Sequence, residues 1–562
     1  MFRRKLNDAL NLLSSRKPIK YTMYLAAIVV FLALILLPPI IGIFTKWGSI
    51  QQVFNQPSLM NRALVAVGNS FTVGLLVSVL DVLAGVPMAW FITRGKSRWL
   101  SFLDTFADIP FIVPTAALGY SLLLFWNGPQ GVSALFSGPL VSTGWLLVVL
   151  LHFTFSYPIV VRVLVGALMD YKMEYERASR TLGAPPLMAV RTVTFPIIKP
   201  SIIAAFILSF ARSLSETGAT FIVAGAFGTL GAFENGPVFL QNVKNEFAAS
   251  AAATYEGATV FASVILIVVS LTIFALIRVF GSRLRLPFKR IWPSAERKLS
   301  YSKAASSRNG VTLAVFLVII LIPSLFVALP AFQAIFNGTL SAAGSGSGVW
   351  GTYWQSLLLS YLLGGIVTVL GFVVGLPMAI LIARKKFGNL SSTTLDILVN
   401  IPLIVPSIAL GVSLKFFWQS FAFMPEFLIL VFAHLTITYP YFVRSMSAAF
   451  ERISVDMEEA ARTLGAKPFS VFTTIMLPLA KYSILSGAIM VFTRSVSETG
   501  ATVAVLSAQT TLQTAPVVIV NWVKQVIPAT PSEIGLGCGI LILFSFLILL
   551  LLRLVTRGKE RY

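Results

Sequence analysis

The sequence predicts an all-α polytopic membrane protein, with twelve transmembrane helices arranged as two parallel six-helix repeats. Three observations carry that expectation. Hydrophobic residues make up 57% of the 562 positions and charged residues 11%, with a mean hydropathy of +0.86, far outside the range of soluble domains. Apolar stretches long enough to cross a hydrocarbon layer of about 30 Å recur twelve times along the chain. The second half also repeats the first in residue-level detail.

In chain order the spans fall near 22–45, 64–92, 101–126, 143–165, 200–225 and 257–280, then near 311–333, 356–383, 395–419, 427–447, 482–507 and 534–555. The first follows Arg3, Arg4, Lys5, Arg16, Lys17 and Lys20. It is too long for a removed signal, has no small-residue cleavage site, and reads as a retained anchor. Pro110, Pro114, Pro402 and Pro406 in the third spans, and Pro158 and Pro440 in the fourth, mark expected kinks.

Charge sets the orientation. With the N-terminus inside, cytoplasmic segments hold 34 of the 43 Lys and Arg residues, and outside loops hold only Lys46, Arg62, Lys244 and Lys524. Both termini are therefore expected in the cytoplasm of a multi-pass inner-membrane protein. The stretch 278–309 carries nine basic residues, Pro287 and Pro293, and no apolar period. It divides the chain into a first six-helix repeat (1–280), a basic cytoplasmic linker (281–309) and a second repeat (310–562). Such a linker attracts anionic lipid.

The same features exclude several functions. A net charge of +22 would suggest nucleic acid in a soluble chain, but here it belongs to the cytoplasmic loops, so no nucleic-acid partner is expected. The single cysteine, Cys538, permits neither an intrachain disulfide nor a multi-thiolate metal site. Gly95-Lys96-Ser97 resembles the end of a phosphate-binding loop, yet Trp90 stands where its first Gly is required. No catalytic residue, cofactor or ATPase is expected within this chain.

The repeat runs without gaps at an offset of 282 from His152 to Thr220. HFTFSYPIVVR (152–162) faces HLTITYPYFVR (434–444), ERASRTLGAPP (176–186) faces EEAARTLGAKP (458–468), and RSLSETGAT (212–220) faces RSVSETGAT (494–502). Upstream, GVPMA (85–89) matches GLPMA (375–379), and IPFIVPTAALG (109–119) matches IPLIVPSIALG (401–411). Six spans per copy make the copies parallel, related by a pseudo-twofold axis along the membrane normal.

In each half the longest internal cytoplasmic connection follows the fourth span and reads as helix, stop, then apolar helix. In the second copy Ser454 can cap a helix carrying Asp456, Glu458 and Glu459, Gly465 supplies the stop, and Pro468 follows. The pattern E-A-A-x-x-x-G followed by x9-I-x-L-P resembles the signature loop of binding-protein-dependent ABC importer permeases. Glu459, Ala460, Ala461, Gly465, Ile475, Leu477 and Pro478 occupy its positions. In the first copy Ala178, Gly183 and Pro196 match, while Arg177, Ser179, Val193 and Phe195 depart from it.

That resemblance covers essentially the whole chain and implies the type I ABC importer permease fold. Two signature loops in one polypeptide resemble the fused permeases for ferric iron and thiamine, which are slightly favoured as substrates. An oxyanion such as molybdate, sulfate or a phosphonate, or a polyamine, remains open, because SETGAT is similar to a segment of molybdate and sulfate permeases. The resemblance also implies two separate ABC ATPase subunits docked on loops carrying Glu176 and Glu458 besides the motif residues. An extracytoplasmic binding protein would deliver the solute. The alternative is an ion-coupled secondary transporter with six plus six helices, which would need a charged site at midplane.

Arg212 with Glu216, and Arg494 with Glu498, are four residues apart, so each pair is expected to share a helix face within the bilayer. At 1.5 Å per residue from Pro200, Glu216 would lie about 24 Å along its helix, in the outer half. With Ser215, Thr217, Ser497 and Thr499 these pairs form a candidate gate; the opposing expectation is a packing salt bridge alone. His152 and His434, the only histidines, are repeat-equivalent. Without nearby Cys or clustered carboxylates, a hydrogen bond to a neighbouring helix is expected of them rather than metal coordination. Asp81 and Lys415 have no counterpart in the other copy and are candidates for an asymmetric pathway lining.

Overall fold

The computed structural model describes residues 11–556 except 13, 96–98, 137, 226–232, 284–293, 295–297, 299–301 and 508–511. Arg3, Arg4, Lys5, Lys96, Ser97 and most of the basic linker, including Arg285, Lys289, Arg290 and Arg297, lie outside the described residues. Among the described residues the chain is helical and forms no strand.

The first half runs α1 (Lys17–Phe31), α2 (Pro57–Arg94), α3 (Thr115–Trp126), α4 (Trp145–Asp170), the surface helix α5 (Met173–Thr181), α6 (Phe195–Ser215), α7 (Gly218–Val223), α8 (Gly236–Phe247) and α9 (Ala252–Arg283). The second half repeats this order as α10 (Ser302–Val315), α11 (Trp350–Ala383), α12 (Ser407–Gln419), α13 (Glu426–Arg452), α14 (Val455–Thr463), α15 (Leu477–Val496), α16 (Gly500–Val505), α17 (Ala515–Val523) and α18 (Pro531–Thr556). α1 and α10 each continue outward through a π-helical turn, at Leu32–Leu36 and Phe316–Leu321, and then further α-helix.

Among the described residues ten helices are long and apolar enough to cross a bilayer, and an eleventh span results if the bent pair Asn389–Ile404 and Ser407–Gln419 is counted as one. The expected third spans are therefore not continuous kinked helices. The second-half pair turns by 103°, and the first-half segment breaks before α3, which has only twelve residues. Proline is the cause. Pro114 and Pro406 force the preceding Val113 and Val405 out of the helical region, to ψ 126° and 134°. Pro158 and Pro440, by contrast, sit inside unbroken α4 and α13, where each removes one backbone donor without ending the helix.

The first helix of each half packs on the other half. Phe31 stacks on Tyr439 with ring centroids 5.6 Å apart, and its counterpart Phe316 stacks on Tyr157 at 6.3 Å. Glycine allows the closest approaches near the centre. A Cβ on Gly119 of α3 would lie 2.8 Å from the Ala219 backbone, and one on Gly411 of α12 would lie 2.7 Å from that of Ala501. These contacts seat α7 on α3 and α16 on α12, which brings the fifth-span segments together at the pseudo-twofold axis.

Candidate functional site

The expected fifth spans end early. α6 stops at Ser215, Glu216 is extended (φ −81°, ψ 132°), and α7 restarts at Gly218. α15 stops at Val496 and α16 restarts at Gly500. Arg212 and Glu216 thus do not share one helix face, and a depth counted along a single helix does not apply to Glu216 or Glu498. Each glutamate sits in the break and takes a second task. Glu216 Oε1 accepts the Ala219 N–H at 3.1 Å, and Glu498 Oε1 accepts that of Ala501 at 3.0 Å, satisfying an otherwise unpaired donor at the start of the next helix. The other carboxylate oxygen faces arginine: Arg212 Nη1 to Glu216 Oε2 is 3.6 Å, and Arg494 Nη1 to Glu498 Oε2 is 2.5 Å. Both pairs are buried.

Histidine spans each break. His152 is 2.7 Å from the Ser213 hydroxyl before the break and 2.8 Å from the Thr220 hydroxyl after it; His434 does the same with Ser495 (2.9 Å) and Thr502 (2.8 Å). The expected hydrogen-bonding role holds, but the partner is one interrupted helix gripped at two points. Among the described residues no cluster of His, Cys, Asp or Glu suits a metal ion.

The two breaks face one another. A Cβ on Gly218 would come within 2.5 Å of the Thr499 side chain, and one on Gly500 within 2.6 Å of Thr217 Oγ1. Thr115 Oγ1 donates across the axis to the Ser497 carbonyl at 3.3 Å, and Ser407 Oγ donates to the Ser215 carbonyl at 3.0 Å. The hydroxyls of Ser215 and Ser497 turn back to the carbonyls of Arg212 and Arg494. Those of Thr217 and Thr499 are buried without a hydrogen-bond partner among the described residues. Arg212 and Arg494, one from each half, line a single cavity of about 30 Å³ together with Pro114, Tyr441 and Ser497. The sequence-predicted gate residues therefore converge. Thr115 and Ser407 went unnoticed, although their equivalence at an offset of 292 was readable.

Outside this centre, two lysines tie each half to the other. Lys244 of α8 donates to the carbonyls of Val503 and Leu506 at the end of α16, the latter at 2.6 Å. Lys524, just after α17, reaches the Gly225 carbonyl at 3.3 Å beyond α7 and lies over the Phe221 ring. Cations at helix C-termini complement the unpaired carbonyls there. Burial pushes the Lys244 ammonium down to about 7, helped by Lys415 and opposed by Glu426. Burial pushes Lys524 down to about 8. Sequence reading placed both lysines in outer loops and missed α8 and α17, though Asn235 followed by Pro237 is a helix-start signal, and Asn235 does accept the Val238 N–H.

The signature loops form the second part of the site. Gly183 and Gly465 both have φ +89°, the left-handed stop expected of them. Gly183 N–H bonds the Arg180 carbonyl and Ala184 N–H that of Ser179; Gly465 and Ala466 bond Arg462 and Ala461 in the same way. This paired closure satisfies the last helical carbonyls. Ala178, Glu459 and Ala460 are exposed and Ala461 half-buried, whereas Glu176 and Glu458 are buried. Those two glutamates face the body of the protein: Glu458 meets Arg384 at 2.7 Å, and Glu176 meets Arg94 at 3.7 Å. Leu182 and Leu464 stand 89% exposed at the loop tips. Pro196 and Pro478 lie in the first turns of α6 and α15, where a missing N–H costs least.

Two of the unmatched polar residues differ in role. Asp81 is fully buried and accepts hydrogen bonds from Ser156 and Ser209, the latter at 2.5 Å, bracketing α2, α4 and α6 rather than lining the central cavity. Lys415 is half-buried in α12.

The family model for the binding-protein-dependent transport system inner membrane component matches this chain twice, over residues 81–286 and 371–559. The sulfate transport system permease protein CysT of Salmonella typhimurium is 34% identical over 221 residues, covering 38% of this chain and 78% of that protein. The molybdate/tungstate transport system permease protein WtpB of Methanocaldococcus jannaschii is 26% identical over 262 residues, 47% of this chain and 97% of its own. The molybdenum transport system permease protein ModB of Mycobacterium bovis is 32% identical over 208 residues, 36% of this chain and 76% of its own.

Proposed function

The chain belongs to the family of binding-protein-dependent transport system inner membrane components, and from that premise we propose that it is the fused, two-copy permease of an ATP-driven importer for a small oxyanion of the sulfate or molybdate class. As a member of this family it is a multi-pass inner-membrane permease of an ABC importer and is not itself an enzyme. Its two permease repeats, 1–280 and 310–562, flank the basic linker 281–309.

One observation carries the substrate reading: two guanidinium groups, Arg212 and Arg494, approach the same cavity from opposite halves. Each guanidinium is paired with one carboxylate yet keeps an N–H group without a hydrogen-bond partner among the described residues, and arginine forks match tetrahedral oxyanions. The orphaned Thr217 and Thr499 hydroxyls supply further donors. The relatives named for sulfate and molybdate transport agree with this chemistry, and nothing in the site favours ferric iron or thiamine over it. The cavity is far too small for the solute in the present state, so the paired breaks act as a closed gate.

The exposed Leu182 and Leu464, beside the small residues of α5 and α14, suit apolar pockets on two ATPase subunits. Glu176 and Glu458, pinned to Arg94 and Arg384, transmit loop movement to the ends of α2 and α11. The N-terminal segment lies on the same face, since the Asn11 and Ser14 side chains bond the Ser470 and Phe469 N–H groups behind the second loop. That contact supports a cytoplasmic N-terminus. An extracytoplasmic binding protein would deliver the anion to the opposite face.

The test is reconstitution with the cognate ATPase and binding protein. Uptake of labelled sulfate or molybdate is expected only with ATP, and Arg212→Lys with Arg494→Lys, which keeps a cation beside each glutamate but removes the guanidinium fork, should lower it sharply while leaving assembly intact. Uptake of ferric iron or thiamine in place of either oxyanion refutes the substrate class, and uptake driven by an ion gradient without ATPase refutes the importer assignment.

A further inference from the structure

A second cavity lies away from the gate, in the groove between α10 of the second half and α2 and α4 of the first. It encloses about 690 Å³ and is walled by apolar side chains, among them Leu80, Leu83 and Pro87 of α2 and Phe153 of α4. Along α10 and its π-helical continuation, Arg308, Val311, Val315 and Ile319 line it at spacings of three and four, one face of a helix. Leu83 is 65% exposed and Val311 61% exposed, so the groove is unfilled by protein.

We propose that this groove binds an anionic glycerophospholipid, one acyl chain lying along α10 and the phosphate resting on Arg308. Three features specify that occupant. The walls are hydrocarbon except at one end, where exposed Arg308 and Ser307 form the mouth. Arg308 to Ile319 spans about 17 Å at 1.5 Å per residue, close to half of the roughly 30 Å hydrocarbon core, the reach of one leaflet's chain. The mouth also lies at the end of the stretch 278–309, in which eight further basic residues precede Arg308, a charge density that attracts anionic lipid.

The arginine belongs to one copy only. Aligning the stacked Phe31 and Phe316 puts Met23 where α10 has Arg308, and Thr22 where it has Ser307. The site therefore distinguishes the halves. A bound lipid would join α10 to α2 and α4, cementing the second half's first helix onto the first half.

Native mass spectrometry of the full chain in detergent, titrated with phosphatidylglycerol and phosphatidylcholine of equal chain length, tests this. The wild type should retain phosphatidylglycerol about fivefold better, the effect of one surface arginine. Arg308→Ala should bring that ratio near one, while Met23→Ala leaves it unchanged. Val311→Trp should lower retention of both lipids by filling the groove, and Leu83→Trp serves the same purpose should Val311→Trp not fold. Millimolar inorganic phosphate should not displace the lipid, because the chain contributes most of the contact. An unchanged ratio in Arg308→Ala, unchanged retention in a folded tryptophan variant, or displacement by phosphate would each overturn the proposal.

Discussion

In the first half Arg212 stands 3.6 Å from Glu216, and in the second Arg494 stands 2.5 Å from Glu498. The same contrast recurs at the loops, where Glu176 to Arg94 is 3.7 Å but Glu458 to Arg384 is 2.7 Å. The first half compensates elsewhere. Arg162 bonds both Asp104 and Asp108, where the equivalent Arg444 bonds the Asn400 amide oxygen and, among the described residues, forms no ion pair. Asp81 brackets three helices at a position occupied by Gly371 in the other copy. What the copies share is what meets at the axis: the histidine grips, the glycine–threonine contacts and the reciprocal Thr115 and Ser407 bonds. Symmetry is retained where each half must fit the other, and relaxed where each half braces only itself.

The largest effect should come from breaking the tighter pair. Glu498→Ala strands buried Arg494 and removes the donor-satisfying contact to Ala501, a loss of about 3–5 kcal/mol. Glu216→Ala should cost less, because its pair is already longer. Denaturation of both variants in nanodiscs measures the difference, and equal losses would mean that the two distances carry no energetic meaning. Removing both members, as in Arg494→Leu with Glu498→Leu, should restore part of the stability while transport stays low.

Asp81→Gly converts the first-half bracket to the second-half residue. It removes the shared acceptor of Ser156 and Ser209, which keep the His152 carbonyl and the Ser78 hydroxyl as partners, at about 0.5–1.5 kcal/mol per hydrogen bond, and should loosen α6 against α2 and α4. The comparison sharpens if Gly371→Asp, which would bury a carboxylate among apolar neighbours, is worse than Asp81→Gly. A neutral Asp81→Gly would remove the bracket from the account of the asymmetry.

At the loop stops the two halves should behave alike locally. A Cβ on Gly183 or Gly465 would meet open space, so a β-branched residue there costs only the left-handed backbone, about 1 kcal/mol or more. Any difference between Gly183→Val and Gly465→Val in substrate-stimulated ATPase must then arise from docking, where Arg177 replaces Glu459. The second loop fits the signature better, so Gly465→Val is expected to uncouple more. Equal losses would refute unequal docking.

The smallest effect is a pH dependence of the outer latches. A hydrated lysine has a pKa near 10.4, whereas Lys244 in its buried latch is held at about 7. Protons therefore bind the open state more tightly. Lowering the pH from about 10 toward 7 should therefore favour opening, with the effect levelling off below about 7, and raising it over the same range should favour the latched form. Spin labels at Asn245 and Val526 should report longer distances at pH 6 than at pH 8.5, and Lys244→Met should flatten the response. A distance increase on raising the pH would reverse the assigned sign.

Much of this was legible in the chain itself. Apolar length defined most spans, the offset of 282 paired the halves, and glycine at 183 and 465 announced the stops, because hydropathy, repetition and left-handed backbone are local properties. Both SETGAT segments were readable as polar groups within apolar runs. Tertiary structure decided the rest. A run such as 200–225 scores as one apolar helix whether or not it breaks, and only packing of Gly119 on Ala219, the histidine grip and the glutamate's contact with the Ala219 N–H stabilise the interruption at Glu216. Likewise, the exchange of first helices between halves, the burial of Glu176 and Glu458, and the lysine latches rest on contacts between residues up to several hundred positions apart. No spacing rule reaches that far, since such contacts are chosen by shape and by the cost of leaving buried polar groups unpaired.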